Sequence, residues 1–120
     1  MGSAAVIASL DPALTRFARR LQEEIGACRV LLYGSHARGQ ANPQSDYDLI
    51  IVAPAFREID RFHRSIGLRQ LWYDVGGDAP MDILCMTPEE FEQAQTWSSL
   101  VTAVLPESID LLAPEAQTTA

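Results

Sequence analysis

The stretch CRVLLYGSHARGQANPQSDYDLIIVA, residues 28–53, holds two apolar runs, with Gly34-Ser35 closing the first and Asp46-Tyr47-Asp48 opening the second. Cys28 to Tyr33 is short and rich in strand formers and stops at the glycine, which predicts a strand delivered into a turn. Ala41-Asn42-Pro43-Gln44-Ser45 is a loop by composition, and Tyr47 to Ala53 predicts a second strand that Pro54 ends. Only a short helical turn around His36 to Gln40 is expected between them.

Elements of both kinds flank this stretch. Asp11-Pro12 reads as N-cap and first residue of a helix whose Leu14, Phe17, Ala18, Leu21 and Ile25 keep 3,4 spacing, with Gly26 as its C-terminal stop. From Phe56 to Asp74 the pattern predicts a helix with Ile59, Phe62, Ile66 and Tyr73 on one face. Asp78 to Met86 predicts a third strand. Thr87-Pro88-Glu89-Glu90 is a capping box that opens a helix carrying Phe91, Ala94, Trp97, Val101 and Val104, closed by Pro106. Ser108 to Leu112 is a short candidate strand. The expected architecture is therefore α/β (α+β), with a small sheet of three to four strands and helices packed on it. One domain is expected over residues 1–112, with a tail lacking order over 113–120.

The 120 residues suffice for one core, without room for a separate acceptor-binding domain. With 48% hydrophobic and 21% charged residues, and no apolar run approaching ~20 residues, disorder and membrane spanning are both excluded as expectations. MGSAAVIASLDP has no charged stretch before its apolar residues, so no secretory signal is expected and the cytoplasm is the default address. Cys28 and Cys85 lie in or beside apolar runs and are expected as buried, reduced thiols.

Charge is distributed unevenly. All nine basic residues are Arg, which removes a P-loop lysine, a Schiff-base lysine and a lysine general base. Residues 1–70 sum to +2 and residues 71–120 to −9, giving the net −7. This balance argues against a long nucleic-acid backbone as ligand, which needs cationic groups to displace counterions, and for a basic protein partner approaching an acidic C-terminal half near the mouth of the site. Arg57, Arg61 and Arg64 form a stripe whose plain reading is a solvated face with partners such as Glu58 and Asp60, and whose alternative is a nucleotide or partner contact. His36 and His63 read as a loop residue and a helix-face residue rather than ligands.

The chemistry lies in the turn and the acids. A glycine after a strand lets backbone N–H groups approach an anionic phosphate, and Ser35 adds a hydroxyl donor. Ten residues separate Ser35 from Asp46, and period-2 geometry puts Asp46 and Asp48 on one strand face with Tyr47 on the other. Asp82 lies in the otherwise apolar run Met81-Asp82-Ile83-Leu84, where a buried carboxylate needs something cationic to meet it. Three carboxylates, a phosphate-cradling turn and no lysine suit metal-assisted nucleotidyl transfer, in which two Mg²⁺ ions call for hard oxygen ligands. A serine-hydrolase reading fits poorly, because the turn is not G-x-S-x-G and His36 is adjacent to Ser35.

The blocks Leu32-Tyr33-Gly34-Ser35-His36-Ala37-Arg38-Gly39, Ser45-Asp46-Tyr47-Asp48-Leu49-Ile50-Ile51-Val52 and Met81-Asp82-Ile83-Leu84 resemble the signature of the DNA polymerase beta nucleotidyltransferase superfamily, and most closely its minimal nucleotidyltransferases, the MNT domain proteins. The resemblance implies a polymerase-beta-like fold with a small mixed sheet, Mg²⁺, and ATP or another NTP as donor. By position, Gly34 and Ser35 would contact the triphosphate, Asp46 and Asp48 would bind both metals, and Asp82 would bind the catalytic metal and orient the acceptor hydroxyl. Arg38 would shape the loop or touch phosphate. Minimal members typically pair with a helical HEPN-type ribonuclease toxin, act as its antitoxin, and in some cases transfer AMP to a toxin tyrosine. Two other readings stay open: an antitoxin that neutralises by occlusion without catalysis, and a homo-oligomer that holds a small-molecule acceptor at its dimer interface.

Overall fold

In a computed structural model, residues 10–39 and 46–113 are described. The chain runs α1 (Pro12–Ile25), β1 (Arg29–Tyr33), β2 (Tyr47–Val52), two 3₁₀ turns (Pro54–Glu58 and Arg61–His63), α2 (Leu68–Asp74), β3 (Met81–Met86), α3 (Pro88–Trp97), α4 (Ser99–Val104), a 3₁₀ turn (Leu105–Glu107) and β4 (Ile109–Asp110). The strands form one sheet in the order β3-β2-β1-β4. β1 is antiparallel to β2 and β4, whereas β2 and β3 are parallel, so the α/β expectation with a mixed sheet holds. The loop expected at residues 41–45 and all but the first residue of the expected tail lie outside the described residues.

Both faces of the sheet are covered, which is why β1 and β2 read as continuous apolar runs rather than alternating ones. Val30, Leu32, Leu49 and Ile51 pack with Leu14, Phe17, Ala18 and Leu21 of α1 and with Trp72 of α2. Leu31, Ile50 and Val52 face the other way onto Phe91, Ala94 and Val101 of α3 and α4. α1 is capped as its sequence predicts: the Asp11 carboxylate accepts the Ala13 N–H at 2.9 Å, and Gly26 ends the helix at φ +67°. Among the described residues no helix is long and apolar enough to cross a membrane.

The segment after β2 departs from its pattern. Instead of a helix over 56–74 there are two 3₁₀ turns separated by Ile59 in an extended conformation, and α2 begins only after Gly67 at φ +86°. The residues expected on one face are exposed, with Phe62 at 86% and Ile66 at 69%, while Phe56, Leu68 and Trp72 are buried. Gly77 explains part of this, since a Cβ there would run into the Trp72 indole, so a glycine lets that ring lie flat against the chain. The indole Nε1–H donates to the Ala79 carbonyl at 2.9 Å, which satisfies its polar edge inside the core.

The helix expected from Thr87 to Val104 is also interrupted. Its capping box forms as predicted, with the Glu90 N–H donating to Thr87 Oγ1 at 3.1 Å and the Thr87 N–H donating to Glu90 Oε1 at 2.8 Å. Ser98 then adopts an extended conformation, ends α3, and caps α4 by accepting the Val101 N–H at 3.2 Å. Trp97, just before the break, is exposed. The thiols are free, but Cys28 is exposed and Cys85 only half-buried, which corrects the expectation of two buried cysteines. Burial pushes the Cys85 thiol up to about 11, so it is protonated at neutral pH.

Candidate functional site

The candidate residues gather at one end of the sheet because of strand direction. β1 runs into Gly34-Ser35 at the end where β2 and its parallel neighbour β3 begin, and the register pairs Tyr33 with Asp48 and Asp48 with Asp82. Paired residues on adjacent strands project to the same face. The side chains of Tyr33, Asp48 and Asp82 therefore line up across three strands, with exposed Asp46 just before β2.

Gly34 adopts φ +79°, and an ideal Cβ on it would stand 2.6 Å from Asp48 Oδ2. A glycine is required there both by conformation and by the carboxylate lying over it. After it the backbone makes a single turn, in which the Arg38 N–H donates to the Gly34 carbonyl at 3.2 Å, so Ser35 stands in a turn. Ala37 is buried and anchors the turn in the core. The Arg38 guanidinium donates to Glu107 at 3.1 Å, which ties the loop to the 3₁₀ turn preceding β4.

Asp48 is half-buried, and its carboxyl pKa is raised, first by desolvation and then by the negative charges of Asp82 and Asp46, with His36 acting in the opposite direction. Asp48 thus feels the charge of both other aspartates. Asp82 itself is exposed on the edge strand, so the expectation that it is buried among apolar neighbours and needs a cation on that account is corrected. Sequence reading missed Tyr33. Its phenol pKa is raised by burial and by Asp48 and Asp82, which places it in the same electrostatic field. No local signal marked it, because its place beside the acids comes from the β1–β2 pairing that sets Tyr33 opposite Asp48.

The donor chemistry suits a hard divalent cation, because carboxylate oxygens of like charge on one sheet face invite a positive ion. Among the described residues no group of three or more His, Cys, Asp or Glu side chains is gathered as a metal-binding cluster. Asp46 and Asp82 are both exposed, so their carboxylates can swing without disturbing the core. These two also line a cavity of about 350 Å³ with Arg69, Tyr73, Asp78 and Pro80.

The acidic helix start lies elsewhere. Glu89 and Glu90 follow the C-terminal end of β3, which lies about 13 Å along the strand from Asp82 at ~3.3 Å per residue. They are also neutralised from within. Arg57 grips both oxygens of Glu89, while Arg61 and Arg64 donate to Glu90 at 3.2 and 2.6 Å. The arginine stripe is thus partnered by α3 rather than by Glu58 and Asp60, and the acidic docking surface expected at the mouth of the site is not built from these glutamates. His63 pairs with Asp60 at 2.8 Å.

A family model described as nucleotidyltransferase domain matches residues 14–114. The chain also resembles the crystal structure of a Sulfolobus solfataricus protein regarded as a nucleotidyltransferase, with 18% identity and a TM-score of 0.51 over 92% of this chain and 87% of that one. At that identity the likeness speaks for the fold alone. No curated protein matches the chain.

Proposed function

This chain belongs to the nucleotidyltransferase domain family, and on that premise we propose that it transfers AMP from ATP, with Mg²⁺, to a hydroxyl of a protein partner. One observation carries the reading: Asp48 and Asp82 stand opposite each other in register on parallel strands, with the Gly34-Ser35 turn at the same end of the sheet. In this reading Gly34 and Ser35 receive the triphosphate and Arg38 holds the turn in shape. Asp46, Asp48 and Asp82 would hold the metal, and Asp82, exposed at the sheet edge, orients the acceptor hydroxyl. Bound Mg²⁺ would supply Lewis-acid activation of that hydroxyl and neutralise charge on the departing pyrophosphate. The residues contribute positioning and charge rather than acid–base chemistry.

We further propose that the acceptor belongs to a basic, helical partner of the HEPN toxin kind, and that the protein works in the cytoplasm, where NTP is available and its free thiols stay reduced. The net charge of −7 and the exposed Phe62, Ile66, Trp97 and Leu100 support a protein partner. The same apolar exposure favours a second reading, neutralisation by occlusion. Incubation with α-labelled ATP, Mg²⁺ and the partner tests both. Wild type should label the partner and Asp48→Asn should not; an Asp48→Asn protein that still neutralises without labelling would establish occlusion.

A further inference from the structure

Besides buried Ala37 and the Arg38–Glu107 pair, the turn after β1 has a third attachment. The His36 ring lies on the Tyr47 ring with centroids 4.0 Å apart and planes inclined by 32°. Tyr47 meets Trp72 edge-on at 5.8 Å, and Trp72 meets Phe17 at 5.5 Å. Tyr47, Trp72 and Phe17 are all buried, so the platform under His36 is the core itself and not a mobile surface ring. Tyr47 also sits between Asp46 and Asp48, projecting to the opposite face of β2. This ring contact joins the residue after Ser35 to the strand that carries the acids.

We propose that His36 is a positioning residue whose flat ring, stacked on Tyr47, fixes the Gly34-Ser35 turn against β2 so that a nucleotide phosphate meets a preformed cradle. Its consequence for binding rests on the nucleotide reading given above, whereas the tether does not. The property that the tether uses is the flat ring, because its partner is an aromatic face in the core; a phenyl ring should hold the turn as well. Ring pairs of this kind are worth a modest factor beyond buried area, enough to bias a short turn without being needed for folding.

The test compares wild type, His36→Ala and His36→Phe by amide hydrogen exchange of Ser35 to Gly39, by calorimetric titration with Mg·ATP, and by thermal melting. His36→Ala should speed exchange in the turn and weaken Mg·ATP binding about three- to tenfold, with the melting temperature lowered by no more than a few degrees. His36→Phe should restore both. Wild-type exchange and affinity in His36→Ala would overturn the proposal, as would a His36→Phe protein that behaves like His36→Ala. If the turn loosens as expected while wild type binds no Mg·ATP, the tether stands and the nucleotide reading falls.

Discussion

Gly34 and Asp48 share a space that admits only one side chain: a Cβ on Gly34 would lie 2.6 Å from Asp48 Oδ2. Gly34→Ala therefore has to move the carboxylate or the turn, and it must also hold an L-residue at φ +79°. The substitution should cost about 1–3 kcal/mol in urea unfolding and abolish transfer. An alanine variant with wild-type stability and activity would show that the close approach is not maintained in solution.

Asp48 should cost the fold stability when ionised. A carboxyl whose pKa is raised binds its proton more tightly folded than unfolded, so stability falls as pH rises from below 3.8 through the raised value. Asp48→Asn removes that cost. It should melt at or slightly above wild type near pH ~7 and level with it near pH ~3, while transfer falls by orders of magnitude. Melting several degrees below wild type at neutral pH would contradict this electrostatic account.

Saturating Mg²⁺ together with ATP should raise the melting temperature more than either alone, because each relieves charge the other adds. A ligand at a hundred times its dissociation constant stabilises by about 2.7 kcal/mol. The shift should vanish in Asp48→Asn. An equal shift in wild type and variant would place the ligand elsewhere.

Glu90 should make the protein acid-sensitive. Its pKa is held down to about 2, chiefly by the hydrogen bond from nearly buried Arg64, and also by the Thr87 N–H and Arg61. A depressed carboxyl stabilises above its unfolded value of 4.5, and that contribution is lost as pH falls towards about 2. Glu90→Gln should cost about 1–2 kcal/mol and flatten the acid limb of a stability profile. A Glu90→Lys reversal should destabilise more, by setting a cation against Arg64, so such a variant reports on folding before it reports on partner binding.

Gly77→Ala should destabilise by about 2 kcal/mol or more, since its methyl meets the Trp72 indole in a filled core. Tryptophan fluorescence should shift as the ring is displaced. An unchanged spectrum and unfolding midpoint would show that the loop beside Trp72 yields freely.

Several elements were legible because their causes are local. Asp11-Pro12, Gly26 and the Thr87 to Glu90 box act through hydrogen bonds within a few residues, and each appears where its spacing places it. The two apolar runs ending at Tyr33 and beginning at Tyr47 were legible for the same reason. Ser98 carried a capping signal of the same kind that the apolar spacing of Trp97 and Val101 obscured. The stripe of Arg57, Arg61 and Arg64 was visible, but its partners on α3 were not, because they lie 26 to 32 residues away.

The sequence by itself determined the kinds of residue at the site and the elements that carry them: a glycine-serine turn after one strand, two aspartates at the start of the next, and a third in another. Only the tertiary structure decided that Asp48 faces Asp82, that Tyr33 joins them, and that Asp82 lies on an exposed edge. Strand order and register come from pairing between distant segments, which local propensity does not encode. The same holds between β2 and α2. The spacing of Ile59, Phe62, Ile66 and Tyr73 is a local property, but which residues turn inward was settled by competition for one core, and Phe56, Leu68 and Trp72 fill it.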